Sequence, residues 1–214
     1  TYRFYVRADC GNGTFSAWAG PFVFNTLCDT FTVPFQEGFN TGSPTENCWT
    51  VLNVNADTDL WNMNYATAPF EGDQCANINT DFNSGANDDW LISPQIVLTG
   101  NQRLKFHYRV QSTFEPNDFR VMLSTNGPTP ADFTTTLIPL ASYTTAYNFV
   151  EIIVPIPNIT GDINIAWIVP PGALQTGNWL YIDDVYIEDM PACSEPLYPV
   201  ITPGTITTTS SSTI

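Results

Sequence analysis

Positively charged side chains are the scarcest feature of this 214-residue sequence: six lysines and arginines stand against 21 aspartates and glutamates, a formal charge of −15. A surface of that sign repels a phosphate backbone, which excludes nucleic-acid binding as its general role. Long apolar runs are missing as well. Stretches such as Ile165-Ala166-Trp167-Ile168-Val169 fall far short of the roughly 20 residues that a membrane span requires. His107 is the single histidine, and neither a Cys-x-x-Cys pair nor a Gly-x-Ser-x-Gly elbow occurs. A zinc set and a Ser–His hydrolase therefore lack their residues. Charged residues make up only 13% of the chain, about half the usual share, and the strong helix formers are few.

What is present is 14% aromatic residues, much Thr, Asn and Ser, 17 prolines and 13 glycines. That composition suits short strands separated by turns, and predicts an all-β protein. Strand-like runs fall near 48–54, 60–65, 75–80, 90–98, 103–112, 118–125, 134–140, 148–154, 162–169 and 178–188. Their number and spacing point to a two-sheet sandwich or jelly roll. Residues 1–27 read as a hairpin turning at Gly11-Asn12-Gly13, and two strands alone are marginal in water. After Pro191, the prolines 196, 199 and 203 read as a linker. The chain opens inside a strand pattern and closes on a β-prone Thr/Ser run, so it is expected to be a window cut from a longer polypeptide.

Five cysteines without metal-site spacing suggest an oxidising, extracellular compartment. Cys28 and Cys48 bracket the loop holding Phe35 and Phe39 and are expected to form a disulfide. Cys75 is left over, and Cys10 and Cys193 lie in the end segments, where they are expected to bond within neighbouring modules.

Strand 103–112 alternates cleanly, with Leu104, Phe106, Tyr108 and Val110 on a core face and Arg103, Lys105, His107 and Arg109 on the other. With Arg120, this stripe holds four of the six basic residues. It is a candidate surface for an anionic glycan or a neighbouring module, or else a set of ion pairs with Glu115, Asp118 or Glu151. Asn53, Asn55, Asp57 and Asp59 offer oxygens at alternate positions, as calcium loops do, but Thr58 and Asn64 stand where an EF-hand needs Gly and Glu. In the run 179–187, a period of two places Asp183 or Asp184 on an apolar face, which is costly unless a cation or several donors meet it. Asp88-Asp89, Asp183-Asp184 and Glu151 are the carboxylate pairs a glycosidase would need, a weak signal in so acidic a chain.

Residues 28–190 resemble the cleaved-adhesin, or choice-of-anchor J, MAM-like jelly-roll domain of Bacteroidetes surface proteins. The resemblance rests on Pro34-Phe35-Gln36-Glu37-Gly38-Phe39, Cys48-Trp49-Thr50 followed by Trp61, Asp88-Asp89-Trp90-Leu91-Ile92-Ser93-Pro94, Leu104-Lys105-Phe106-His107-Tyr108, Val121-Met122-Leu123-Ser124-Thr125 and Tyr181-Ile182-Asp183-Asp184-Val185. Residues 1–27 are similar to the last strands of a fibronectin type III module, and 191–214 to a linker and the start of another. The resemblance implies a non-catalytic adhesion or carbohydrate/protein-binding module of a larger secreted or cell-surface protein. Its expected partners are a surface glycan or protein and the neighbouring modules. A structural spacer, or an accessory domain of a secreted protease or glycosidase, is the alternative. It further implies a structural Ca2+ held by Glu37 and Asp183 or Asp184, with Asp57 or Asp59.

Overall fold

The computed structural model describes residues 2–24, 28–80, 87–112, 114–145, 147–171 and 177–192. Cys193 and the expected linker prolines 196, 199 and 203 lie outside them. The first segment forms two nested hairpins: β1 (Tyr2–Val6) pairs with β4 (Ala19–Phe24), and β2 (Asp9–Gly11) with β3 (Thr14–Phe15). Gly11, Asn12 and Gly13 all take positive φ at the turn, the conformation that Gly and Asn adopt at least cost. Trp18 on this hairpin is 60% exposed, and Cys10 is an exposed free thiol.

The rest is a sandwich of two sheets. One contains β5 (Phe31–Thr32), β7 (Thr50–Asn53), β10 (Asp89–Ile92), β11 (Ile96–Thr99), β13 (Asn117–Ser124), β14 (Phe133–Tyr143) and β16 (Thr160–Val169). Its order is β14-β13-β16-β10-β7, with β11 also on β16 and β5 beside β11. The other contains β6 (Phe35–Glu37), β8 (Asn62–Tyr65), β9 (Cys75–Asn79), β12 (Gln102–Val110), β15 (Val150–Pro155) and β17 (Trp179–Asp189). Its order is β15-β12-β17-β9-β8, with β6 on β17. Two short 3-10 turns, Glu46–Cys48 and Pro130–Asp132, are the helical pieces among the described residues.

Period-two patterning fixes which side of the strand is inside where one face meets solvent, as on β12. On β12 the burial alternates without interruption, and Leu104, Phe106 and Val110 are fully buried. They face Trp167, Ile165 and Ile163 from β16 across the sandwich within one continuous core. β16 is the central strand of its sheet and is covered on both sides, which explains its unbroken apolar run 165–169. Ala166 and Ile168 face away from the core, where Trp90, Ile92, Met122 and Phe133 join them in a second, smaller cluster. The run expected as one strand over 90–98 is two. Pro94 offers no N–H, and the chain instead anchors there through Ser93, whose backbone N–H donates to the Ile165 carbonyl and whose Oγ accepts from Ile165 N–H.

Cys28 and Cys48 are joined, with a sequence separation of 20 residues. The bridge ties β5 and β6 to the turn that leads into Trp49. By the loop-closure argument its reduction is expected to lower stability by about 3 kcal/mol. Melting the protein with and without reductant checks this, and an unchanged melting temperature would contradict it.

Candidate functional site

The basic stripe on β12 does reach the outer face of its sheet, but it is half-covered rather than open. Arg103 and Lys105 both pair with Glu188 of the adjacent β17, at 2.6 and 3.0 Å. The ion-pair reading is the one realised, with Glu188 in place of Glu115, Asp118 or Glu151. Slight burial alone would raise the Glu188 pKa, but Lys105 and Arg103 outweigh it and hold it below its ordinary value. Arg109 lies under rings instead, its guanidinium 4.1 Å from Tyr181 and 4.9 Å from Phe149. Arg120 does not belong to the stripe, since it sits on β13 of the opposite sheet. Surface pairs that remain partly open to solvent contribute little, so Arg103→Ala and Lys105→Ala are each expected to cost less than about 1 kcal/mol in urea unfolding. A larger loss would mean that the stripe is a structural strut.

The acidic pair at 183–184 corrects the period-two reading of that strand. Opposite Lys105 and His107 the ladder shifts register, and Asp184 takes φ 47°. The extra residue is a β-bulge. It lets Ile182 and Val185 both enter the core, so neither aspartate is left on the apolar face. Asp183 is fully buried beneath the chain at 70–71, where its Oδ2 accepts from Phe70 N–H (2.7 Å) and Glu71 N–H (3.3 Å) and its Oδ1 from Asp184 N–H (2.7 Å). Burial raises its pKa to about 6 against those three donors. Asp184 accepts from Gln36 Nε2 at 3.1 Å, and its Oδ2 lies 3.3 Å from His107 Nδ1 without hydrogen-bond alignment. Phe70 stacks on the His107 ring, centroids 3.5 Å apart.

Glu37, on the short strand β6, lies opposite Val185 of the last strand β17 in the ladder. It too is buried, with Oε1 accepting from Phe39 N–H and Oε2 from the hydroxyls of Ser43 and Thr45. At both carboxylates protein donors already supply the compensation that a cation would give.

Asp57 and Asp59 are elsewhere. They border Asp88 and Asp89 at the β7–β10 end of the other sheet, where the three neighbouring carboxylates act on Asp89. Asp89 is fully buried, and neither of its side-chain oxygens has a hydrogen-bond partner. Directly opposite it in the ladder stands Asn53, whose buried Oδ1 is likewise unpartnered. Asn53 Nδ2 donates to the Asp57 carbonyl, and Asp57 Oδ1 accepts from Asp59 N–H, so the 53–59 loop folds back over this spot. Burial first, then the Asp57 charge, pushes the Asp89 pKa up to about 7. Three orphaned oxygens in one acidic cluster are of the kind a hard cation takes. Among the described residues no group of three or more His, Cys, Asp or Glu side chains is placed to hold a metal ion by itself, so amide and backbone oxygens would have to complete such a shell.

Nucleophilic chemistry finds little support. Cys75 is buried and unbonded, and burial, followed by the nearby Asp183 charge, pushes its thiol up to about 12. At neutral pH it is a protonated small hydrophobe. Glu151 stands on the edge strand β15 opposite His107, exposed to solvent.

One feature of this face escaped the sequence reading. Beside β8 and β9 a cleft of about 290 Å3 opens, lined among others by Asp59, Asn62, Tyr65, Asn77, Asn79 and Trp179. Asn77 and Asn79 alternate along β9 and so share its outer side, and Trp179 and Tyr181 follow them across the ladder on β17. The signal in the sequence was the pair of asparagines at a spacing of two in an otherwise apolar strand.

Comparison with known proteins places this geometry. The family model described as Cleaved Adhesin Domain matches residues 32–187. Among solved structures, the K1 cleaved adhesin domain of Lys-gingipain from Porphyromonas gingivalis W83 is 19% identical, with a TM-score of 0.59, covering 74% of this chain and 99% of that one. The K3 domain of the same protein is 18% identical, with a TM-score of 0.58 over 73% and 98%. The K2 domain of Lys-gingipain is 20% identical, with a TM-score of 0.54 over 72% and 99%. At these identities the likeness establishes the jelly-roll fold. No curated protein matches the chain.

Proposed function

We propose that this chain, which belongs to the Cleaved Adhesin Domain family, serves as a non-catalytic adhesion module that binds a surface glycan or protein, within a larger secreted or cell-surface protein. The observation that carries this reading is the extent of the match: residues 32–187 run from the first short strand of the sandwich nearly to the end of its last. The buried, protonated Cys75 and the ring-stacked His107 are in keeping with it. Residues 2–24, a hairpin with exposed aromatics, fit the last strands of a fibronectin type III-like neighbour, and an extracellular setting fits the disulfide. Attachment of the 214-residue chain to intact cells tests the reading. Saturable attachment is expected, and its absence would favour a spacer with no ligand of its own.

A structural calcium ion belongs to the same proposal. Asp89 and Asn53 would hold it, with Asp57 beside them, because the buried oxygens of Asp89 and Asn53 have no hydrogen-bond partner. When bound, the ion would supply the positive charge that lets these carboxylates ionise together. Glu37 with Asp183 or Asp184 is the second candidate set. An ion there must displace the backbone and hydroxyl donors those side chains already accept.

A further inference from the structure

We infer that the cleft between β8, β9 and the start of β17 is a saccharide subsite, which takes the ring of an uncharged glycan against Trp179 and reads its hydroxyls with Asn62, Asn77, Asn79 and Asp59. The inference rests on the adhesion reading above and narrows it to one ligand class and one place.

The first support is the aromatic wall. Trp179 is 37% exposed, unusual for an indole on a sheet otherwise closed over its core. Its ring is braced by Tyr65, with centroids 6.1 Å apart and planes 23° from parallel, and Tyr65 is braced in turn by Tyr181 at 5.4 Å. A ring held in one orientation offers a flat apolar platform at little entropic cost. The axial C–H groups of a pyranose present a matching apolar face.

The second support is the floor. Asn77 is 0% exposed, yet neither its amide nitrogen nor its oxygen has a hydrogen-bond partner. A buried amide with both ends unmet is rare, and a carboxamide offers donor and acceptor together, the pattern that vicinal hydroxyls answer. Asn77 lines the cleft, so a hydroxyl seated there is placed to satisfy it. A ligand hydroxyl at the floor of the cleft offers that amide a donor and an acceptor at once.

The third support is charge. The lining includes one carboxylate, Asp59, and no Lys, Arg or His. With a chain charge of −15, such a cleft disfavours sialylated, sulfated or phosphorylated sugars and favours neutral ones. At about 290 Å3 it lies at the small end of ligand sites, which run roughly 300–1,000 Å3, so it fits a terminal sugar or a short stretch of a chain.

A printed array of neutral, sialylated and sulfated glycans tests the assignment, with the intact 214-residue chain and two variants, Trp179→Ala and Asn79→Ala. Melting curves report whether each variant is folded, and Trp179→Phe serves where Trp179→Ala is not. Binding to a subset of neutral glycans is expected, weakened roughly tenfold or more by Trp179→Ala and less by Asn79→Ala. Binding of acidic glycans alone, neutral-glycan binding that the Trp179 variants leave unchanged, or no glycan binding at all would each overturn the inference. Cell attachment measured alongside separates the two readings. Attachment that persists in the Trp179 variants sinks the subsite and leaves the adhesion module standing, whereas no attachment by the unaltered chain sinks the module.

Discussion

In calcium-free buffer the protein is expected to melt at a higher temperature at pH 5.5 than at pH 7.5, and calcium is expected to reverse that order. Asp89 is the cause. In the unfolded chain its carboxyl titrates near the ordinary 3.8, whereas burial first and Asp57 next raise it to about 7 in the folded protein, with Asp88 and Asp59 adding to the effect. Between those values the folded state holds a proton that the unfolded state has released, so stability falls as the pH rises through the window. Fully expressed, the shift corresponds to roughly 4 kcal/mol. Asp183, raised to about 6, acts in the same direction over a narrower window. A bound cation needs the ionised carboxylate, so the calcium-loaded protein gains stability with rising pH. Asp89→Asn removes the buried charge while keeping the shape. It is expected to raise the melting temperature in chelator at pH 7.5 and to abolish the response to calcium. Equal melting temperatures at the two pH values in chelator would contradict the assignment to Asp89. If calcium shifts neither protein and elemental analysis finds no metal, the calcium proposal falls with it.

Replacing Trp167 by alanine is expected to cost about 3–5 kcal/mol, the range for deleting a large aromatic from a closed core. Trp167 is fully buried on β16, opposite Leu91 of β10 and Val121 of β13. Its ring meets Phe106 of the facing sheet edge-on at 5.4 Å and Trp49 at 5.6 Å. It therefore joins both layers and the disulfide-tied turn that carries Trp49. Its indole N–H has no partner. Trp167→Phe, which removes that orphan donor along with some volume, should cost much less than Trp167→Ala. Urea unfolding followed by fluorescence checks both: a lower midpoint with an unchanged slope is the expected result. A cost for alanine near 1 kcal/mol would show that the sandwich can collapse around the gap.

How legible these sites were in the sequence differs residue by residue. The disulfide was readable because Cys28 and Cys48 bracket one compact loop. The alternation on β12 was readable because a side-chain period of two needs nothing beyond the strand itself. Asp183 and Asp184 were flagged as costly on an apolar face, but the bulge that removes the cost was not visible. A bulge is a relation between two strands, and its mark in one strand is a single residue at φ 47°. The partner of Arg103 and Lys105 was missed for the same reason, since Glu188 is distant in sequence and adjacent in the ladder.

The sequence by itself determined the class of structure, the position of most strands, the inward face of the cleanly alternating β12 and the family to which the motifs belong. Those features follow from local quantities: composition, the alternation of apolar residues and the chemistry of turns. The tertiary structure alone decided which charges meet. It separated Asp57 and Asp59 from Glu37, set Asn53 against Asp89, placed Arg120 on the other sheet, and brought Asn77, Tyr65 and Trp179 to one cleft. The physical reason is that sheet order and register are collective. They are fixed by packing two layers around a shared core, and they set the neighbours of an outward-facing side chain without leaving a trace in the residues beside it in the chain.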